Sequence, residues 1–267
     1  NIGKVTNSGV EIELDYNAFK NKDWSVSVGA NATFVKNKIK NLPATMKENG
    51  YISGSKKWLE GKSIYEFWLR QWHGVDPQTG DGLYVADVSK YNQGNIGTGD
   101  GNITQSQFDE YKKTVVTIDD KDETYLGSQS PKWTGGFNNN FSYKNFDLAA
   151  VFSYQLGGQI LDTNYATMMS MTEFGYAQSP DLLKAWKQAG DITEVPRIDN
   201  SAAHTTNIGQ SYSTRWLTSS DYLNLRSVTI GYQLPKTWLS KVMLKSARLN
   251  LTAENLFMLK ARQGLNP

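Results

Sequence analysis

The sequence predicts an all-β chain: part of an antiparallel transmembrane β-barrel, roughly eight strands of a larger closed sheet, with long extracellular loops. Three observations lead there. Residues 133–156 alternate large apolar with small polar side chains, at the strand period of two. The two runs involved are eleven residues each, against the roughly 9 to 11 that a tilted strand needs to cross a bilayer. Connections are short at one end of the strands and tens of residues long at the other, the asymmetry of an outer-membrane barrel.

The stretch Trp133 to Leu156 organises the rest. On its first strand Trp133, Phe137, Phe141 and Tyr143 are large, whereas Thr134, Gly136, Asn138, Asn140 and Ser142 are small or polar. On its second, Phe146, Leu148, Ala150, Phe152, Tyr154 and Leu156 alternate with Asp147, Ala149, Val151, Ser153 and Gln155. A two-residue loop, Lys144-Asn145, sets Tyr143 opposite Phe146, Phe141 opposite Leu148, Phe137 opposite Phe152, Gly135 opposite Tyr154 and Trp133 opposite Leu156. Both greasy sets then share one face, and a one-residue slip would turn every ring to the other side. Of the loop residues, Asn145 tolerates positive φ and Lys144 does not.

A second long hairpin precedes it. Val10, Ile12, Leu14 and Tyr16 alternate with Glu11, Glu13 and Asp15. After a polar turn at residues 20–23, Trp24, Val26, Val28, Ala30, Ala32 and Phe34 resume the alternation. A five-residue loop pairing Ala18 with Trp24 aligns the two apolar faces. Residues 37 to 61 read as a long polar connection, Lys62 to Trp72 as a further strand, and Leu83 to Val85 as a short one. Long excursions follow at 87–129 and 157–214. The second carries a helix signal: Ser179 as N-cap, Pro180 at the first position, Leu182, Leu183 and Trp186 on one face, and Gly190 as the stop. Val228, Ile230 and Tyr232, then Leu249, Leu251 and Ala253, complete the alternating segments, and Arg226 falls on the outward parity of the former.

Composition permits this and excludes much else. The apolar share is 39% and the aromatic share 12%, with no run near the 18 or so apolar residues of a membrane helix. With 28 basic and 26 acidic residues in no basic block, nucleic acid is not an expected partner. The chain has no cysteine, so neither disulfides nor thiolate metal sites are available.

Five segments, NIGKVTNSGVEIELDY, GVDPQTGDGLY, YLGSQSPKWTGGFNNNFSYKNFDLAAVFSYQLGG, YLNLRSVTIGYQLPK and LNLTAENLF, resemble the C-terminal half of the barrel in SusC/RagA-type TonB-dependent transporters of Bacteroidetes. The resemblance implies a barrel of about 22 strands in the outer membrane of a Gram-negative bacterium. It also implies an N-terminal plug, a SusD-like lipoprotein partner, and import of oligosaccharides or peptides driven through TonB. Residues 1–267 are expected to supply the C-terminal part of such a barrel, without plug, TonB-contacting segment or final strand, and to be completed by the remainder of the barrel.

On this reading Glu11, Glu13, Asp15, Asn138, Asn140, Asp147 and Gln155 face the lumen. Trp24, Phe34, Phe137, Phe141, Phe152, Tyr154, Ile230 and Tyr232 face outer-membrane lipid. Trp58, Trp68 and Trp72, in a cluster with Tyr51, Tyr65 and Phe67, are candidate stacking surfaces for substrate. Leu182, Leu183, Trp186, Met168, Met169 and Met171 could dock a capping protein or pack within their own loop.

No enzymatic constellation emerges and no cofactor or metal is expected. His73 and His204 lack spaced partners. Gly61-Lys62-Ser63 mimics the end of a phosphate-binding loop, but Lys56 stands where its first glycine would be. Asp100-Gly101-Asn102-Ile103 resembles the middle of a calcium loop whose ligand positions are taken by Ile96, Thr98 and Gln107. Asp76, Asp81 and Asp87 fit turns better than an oxygen site. Two other readings compete: an extracellular carbohydrate-binding β-sandwich, which needs a second sheet over the aromatic face, and a passive diffusion pore.

Overall fold

The computed structural model describes residues 3–85, 123–170, 175, 177–198, 212–240 and 244–261. They divide into two compact units, one formed by Ile2–Asn41, Gln129–Gln159 and Ser219–Pro267, the other mainly by Leu42–Ser128 and Ile160–Thr218. The first unit is a six-stranded meander of β1 (Lys4–Lys20), β2 (Trp24–Asn41), β3 (Trp133–Tyr143), β4 (Phe146–Leu156), β5 (Tyr222–Gln233) and β6 (Arg248–Lys260), in that spatial order. Every neighbouring pair is antiparallel.

The β3–β4 register is the expected one, with Tyr143 opposite Phe146, Phe137 opposite Phe152 and Trp133 opposite Leu156. It extends sideways. Trp24, Tyr143, Phe146, Tyr232 and Leu249 form one apolar row across five strands, and Ser27, Asn140, Ala149, Thr229 and Thr252 a polar row on the other face. Rings reinforce the apolar side: Phe137 stacks on Phe152 at 4.4 Å, and Trp24 lies 4.2 Å from Tyr143 and 5.2 Å from Phe141. Cross-strand pairs of this kind contribute about 0.2–1 kcal/mol each.

The β3–β4 turn places its positive φ on Lys144, at 51°, rather than on Asn145. A non-glycine residue there costs about 1–2 kcal/mol, so the turn is held from outside. The Lys144 backbone N–H donates to the Asp23 carbonyl at 2.7 Å, and the Asn145 carbonyl accepts from the Gln233 N–H at 2.8 Å. Lys144→Gly should relieve this conformation and raise the thermal unfolding midpoint of the assembled barrel slightly, an effect worth up to about 1 kcal/mol. Heat-modifiable gel mobility measures it.

The β1–β2 hairpin departs from expectation in register. Phe19 pairs with Val26 and Tyr16 with Val28, a two-residue displacement from the Ala18–Trp24 pairing, with a bulge between Asn17 and Phe19. The cause is a tighter turn. The Asn21 side-chain oxygen accepts from the Asp23 and Trp24 N–H groups at 2.9 and 2.8 Å, and the Asn21 N–H donates to the Trp24 carbonyl at 2.8 Å. Because the displacement is even, both apolar faces stay aligned. The strands also run to 17 and 18 residues, so residues 37–41, expected in a loop, continue β2.

Six long strands, rather than eight, make the sheet among the described residues. The segments expected as further strands are short ladders of the second unit. Lys62–Trp72 yields Glu66–Arg70 and the start of Trp72–Val75, and Gly82–Tyr84 pairs with the latter. Tyr51–Ser53, Lys56–Trp58, Glu66–Arg70 and Glu123–Ser128 form a separate small sheet.

The second unit has its own core of Met169, Leu182, Ala185, Val195 and Trp216. The expected helix to Gly190 is only a 3-10 turn, Pro180–Lys184, with the Ser179 side chain accepting from the Asp181 N–H. It stops because tertiary bonds claim the next residues: the Trp186 backbone N–H donates to the Val195 carbonyl, and its indole N–H to the Pro77 carbonyl, both at 2.9 Å. Met169 and Leu182 are buried while Met168 and Leu183 are exposed, so part of the apolar cluster packs within its own unit. Met171 lies outside the described residues. Lys184 and Tyr165 donate to Asp181, which holds its carboxyl below the usual range and raises the Lys184 ammonium.

Candidate functional site

The candidate site is the polar face of the meander. Continuous register from β1 to β5 puts Glu11, Glu13, Asp15, Asn138, Asn140, Asp147 and Gln155 on one face. It puts Trp24, Phe34, Phe137, Phe141, Phe152, Tyr154, Ile230 and Tyr232 on the other. On the polar side, short residues let longer neighbours lie flat. A Cβ on Gly29 would sit 2.5 Å from the side-chain oxygens of both Asp15 and Asn138. The Asn31 side-chain oxygen accepts from the Gly136 N–H at 3.0 Å. Gln155 donates to the Ser220 hydroxyl at 2.9 Å, and Arg248 pairs with Asp147. A face of this kind presents donors and acceptors together with the carboxylates of Glu11, Glu13 and Asp15.

One residue of this face escapes parity reasoning. Leu225 pairs with Phe152 and Ser227 with Val151, so Arg226 is a bulge in β5. Opposite it β6 carries two unpaired residues between Glu254 and Phe257, and Asn255 there takes φ 52°. The bulge shifts the phase: Arg226 joins the parity of Tyr222 and Asn224 instead of the outward parity of Val228 and Ile230. With Ser153, Asn224, Asn255 and Lys260 it lines a groove of about 600 Å³. Bulges commonly re-aim a side chain in this way. The sequence signal available was the failure of Leu223 and Leu225 to keep step with Val228.

The tryptophans Trp58, Trp68 and Trp72 each find separate partners in the second unit. Trp58 lies 5.5 Å from Tyr51, Trp68 4.8 Å from Tyr125 and Trp72 5.3 Å from Tyr84. Cations cover two of them: the Lys57 ammonium lies 4.2 Å from the Trp68 ring, and the Arg215 guanidinium 4.9 Å from Trp72 and 4.4 Å from Trp216. Burial holds the Arg215 pKa down at about 10, and burial with the nearby Glu66 carboxylate pushes the Tyr125 phenol up to about 12.

The remaining candidates are accounted for locally. His73 is exposed. Asp76 accepts from the Gln78 N–H at 2.8 Å, and Asp81 pairs with Arg197 at 2.8 Å. Lys62 of the false phosphate-loop match lies 3.8 Å from Glu66. His204, Asp87 and the 96–107 stretch lie outside the described residues. No described helix is long and apolar enough to cross a membrane, which leaves strands unaddressed.

No protein-family model matches the chain. Among characterised proteins it is 26% identical over 280 residues to TonB-dependent receptor P3 of Formosa agariphila, covering 100% of this chain and 25% of that receptor. It is 22% identical over 273 residues to TonB-dependent receptor SusC of Bacteroides thetaiotaomicron, covering 100% and 24%. Among solved structures, the RagAB peptide transporter aligns with a TM-score of 0.79 at 25% identity, over 99% of this chain and 27% of that one. Over its whole length the chain is similar to a part of SusC/RagA-type TonB-dependent transporters. It spans about a quarter of the length of the relatives it matches. The relatives it matches are named as receptors and transporters rather than as enzymes.

Proposed function

We propose that residues 1–267 form the C-terminal part of the barrel of an outer-membrane TonB-dependent transporter, which imports oligosaccharides or peptides together with a SusD-like lipoprotein. The aromatic face meets lipid, and the polar face lines the passage. One observation carries this reading: the apolar face stays exposed even on strands paired on both sides, with Trp24 38%, Phe146 38% and Ile230 37% accessible. That far exceeds the scattered apolar residues of a soluble surface. A β-sandwich would cover such a face with a second sheet. Plug and TonB contact would come from the rest of the parent protein, which also separates a transporter from a passive pore.

This chain contributes no cysteine of its own, so the test is run in a full-length parent from which any cysteines elsewhere have been replaced by serine. In the full-length parent, Asn140→Cys should react with a water-soluble maleimide in intact membranes, and Phe152→Cys should resist it and instead be quenched by brominated lipid when fluorescently labelled. The reverse pattern would overturn the facing.

The groove at Arg226, with Asn224 and Lys260, is proposed to contact anionic substrate groups at the long-loop end of the passage, and Trp58, Trp68 and Trp72 to offer ring edges to sugars or peptide side chains. Arg226→Gln should leave assembly unchanged and weaken binding of an acidic peptide about tenfold, the scale of one charge-assisted hydrogen bond, while a neutral peptide binds as before. Calorimetry on the purified parent with its partner measures both.

A further inference from the structure

The outward face carries a feature that transport does not use. Past Phe34, β2 continues as Lys36-Asn37-Lys38-Ile39-Lys40. Phe34, Lys36 and Lys38 pair with Val10, Ser8 and Thr6 of β1 and therefore share the lipid-side parity. Of the alternate residues Val35 is exposed, whereas Asn37 at 9% and Ile39 at 1% accessible are shut away. Lys40 is exposed at a bulge, beside Asn41, which pairs with the exposed Lys4. No described acid pairs with any of these four lysines.

Position decides what this row meets. Phe34 and Trp133, 5.3 Å apart, close the aromatic band at the end of the sheet from which the long connections leave. At roughly 3.4 Å per residue, Lys36 and Lys38 stand about 7 and 14 Å along the strand beyond that band. The headgroup layer begins there, since the hydrocarbon core ends near the aromatic girdle. Ser8 and Thr6, their partners on β1, place no charge beside Lys36, which is exposed, or Lys38, which is half-buried.

Resting on the outward-face reading above, we infer that Lys36, Lys38 and Lys40, with Lys4, form a binding surface for the phosphate groups of outer-leaflet glycolipid. Four flexible ammonium groups above an apolar band grip a phosphorylated amphiphile at both ends: acyl chains lie against Phe34, Val10 and Ile12, and phosphate sits among the lysines. Lysine suits this task because its long stem reaches along the strand while its charge stays in the polar layer. The grip should weaken with salt.

The test uses the full-length transporter in phosphatidylcholine nanodiscs doped with either phosphorylated lipid A or its dephosphorylated counterpart, with retained lipid counted by native mass spectrometry. The wild type should hold phosphorylated lipid A in preference to the dephosphorylated form. A Lys36→Gln, Lys38→Gln, Lys40→Gln variant should lose that preference, binding roughly fivefold more weakly per lysine removed at low salt. The matching triple arginine variant should keep it. Unchanged heat-modifiable mobility establishes that each variant is assembled. Equal retention of both lipids by the wild type, or undiminished preference in the glutamine variant, would overturn the inference while the transporter reading stands. Loss of the transporter reading itself would show separately, as water-accessible Phe152→Cys.

Discussion

Phe152→Arg is expected to destabilise the assembled barrel by about 2–4 kcal/mol, the cost of a cation near the bilayer midplane. Phe152 sits in the middle of β4, stacked on Phe137 at 4.4 Å and paired across β5 with Leu225. A guanidinium there loses its hydration and breaks the ring contact at once. Asn140→Arg, on the opposite face beside Ser27 and Ala149, should cost less than about 1 kcal/mol, since a lumen-side cation remains in water. Urea unfolding of the full-length protein in vesicles, followed by tryptophan fluorescence, compares the two. Equal losses, or the larger loss at Asn140, would reverse the assignment of faces.

Trp216→Ala should be nearly as damaging, in the other unit. Trp216 is 1% accessible and anchors the cluster of Met169, Leu182, Ala185 and Val195. The Tyr165 ring lies 5.8 Å away and the Arg215 guanidinium 4.4 Å. Truncation leaves a large cavity and removes the face on which the half-buried Arg215 guanidinium rests, a loss of about 3–5 kcal/mol. Protease nicking within 160–218 should then become fast in the native protein, while the sheet retains its heat-modifiable mobility. Collapse of both together would mean that the loop core also supports the wall.

What could be read from the residues beforehand follows the physics of each element. Alternation over Trp133–Leu156 and Val10–Phe34 is dense enough to set faces and, in the central hairpin, every pair, because period two leaves only two phases. The Asn21 turn displaces the β1–β2 pairing by two residues and keeps the faces of Val10–Tyr16, while the Ala18 bulge turns Phe19 to the apolar side opposite Val26. The Arg226 bulge did move one, because an inserted residue is invisible to strict alternation. β2 runs past Phe34 to Asn41 although lysine favours loops, since Lys36, Lys38 and Lys40 keep the strand period. The helix expected up to Gly190 failed for a different reason. Its local signals are sound, but Trp186 is claimed by Val195 and Pro77, a tertiary bond that no local pattern announces. The loop tryptophans were recognisable as a group, yet their partners Tyr125 and Arg215 lie far along the chain.

The turn at Lys144 has a bearing on the order of events during assembly. Its unfavourable backbone angle is compensated by a hydrogen bond to the Asp23 carbonyl on one flank and one from the Gln233 N–H on the other. The most regular ribbon of the chain is therefore poorly suited to seed folding alone. Strand addition should proceed so that this corner locks only once its neighbours arrive on both sides, which makes insertion of the wall a concerted step rather than a hairpin-by-hairpin one.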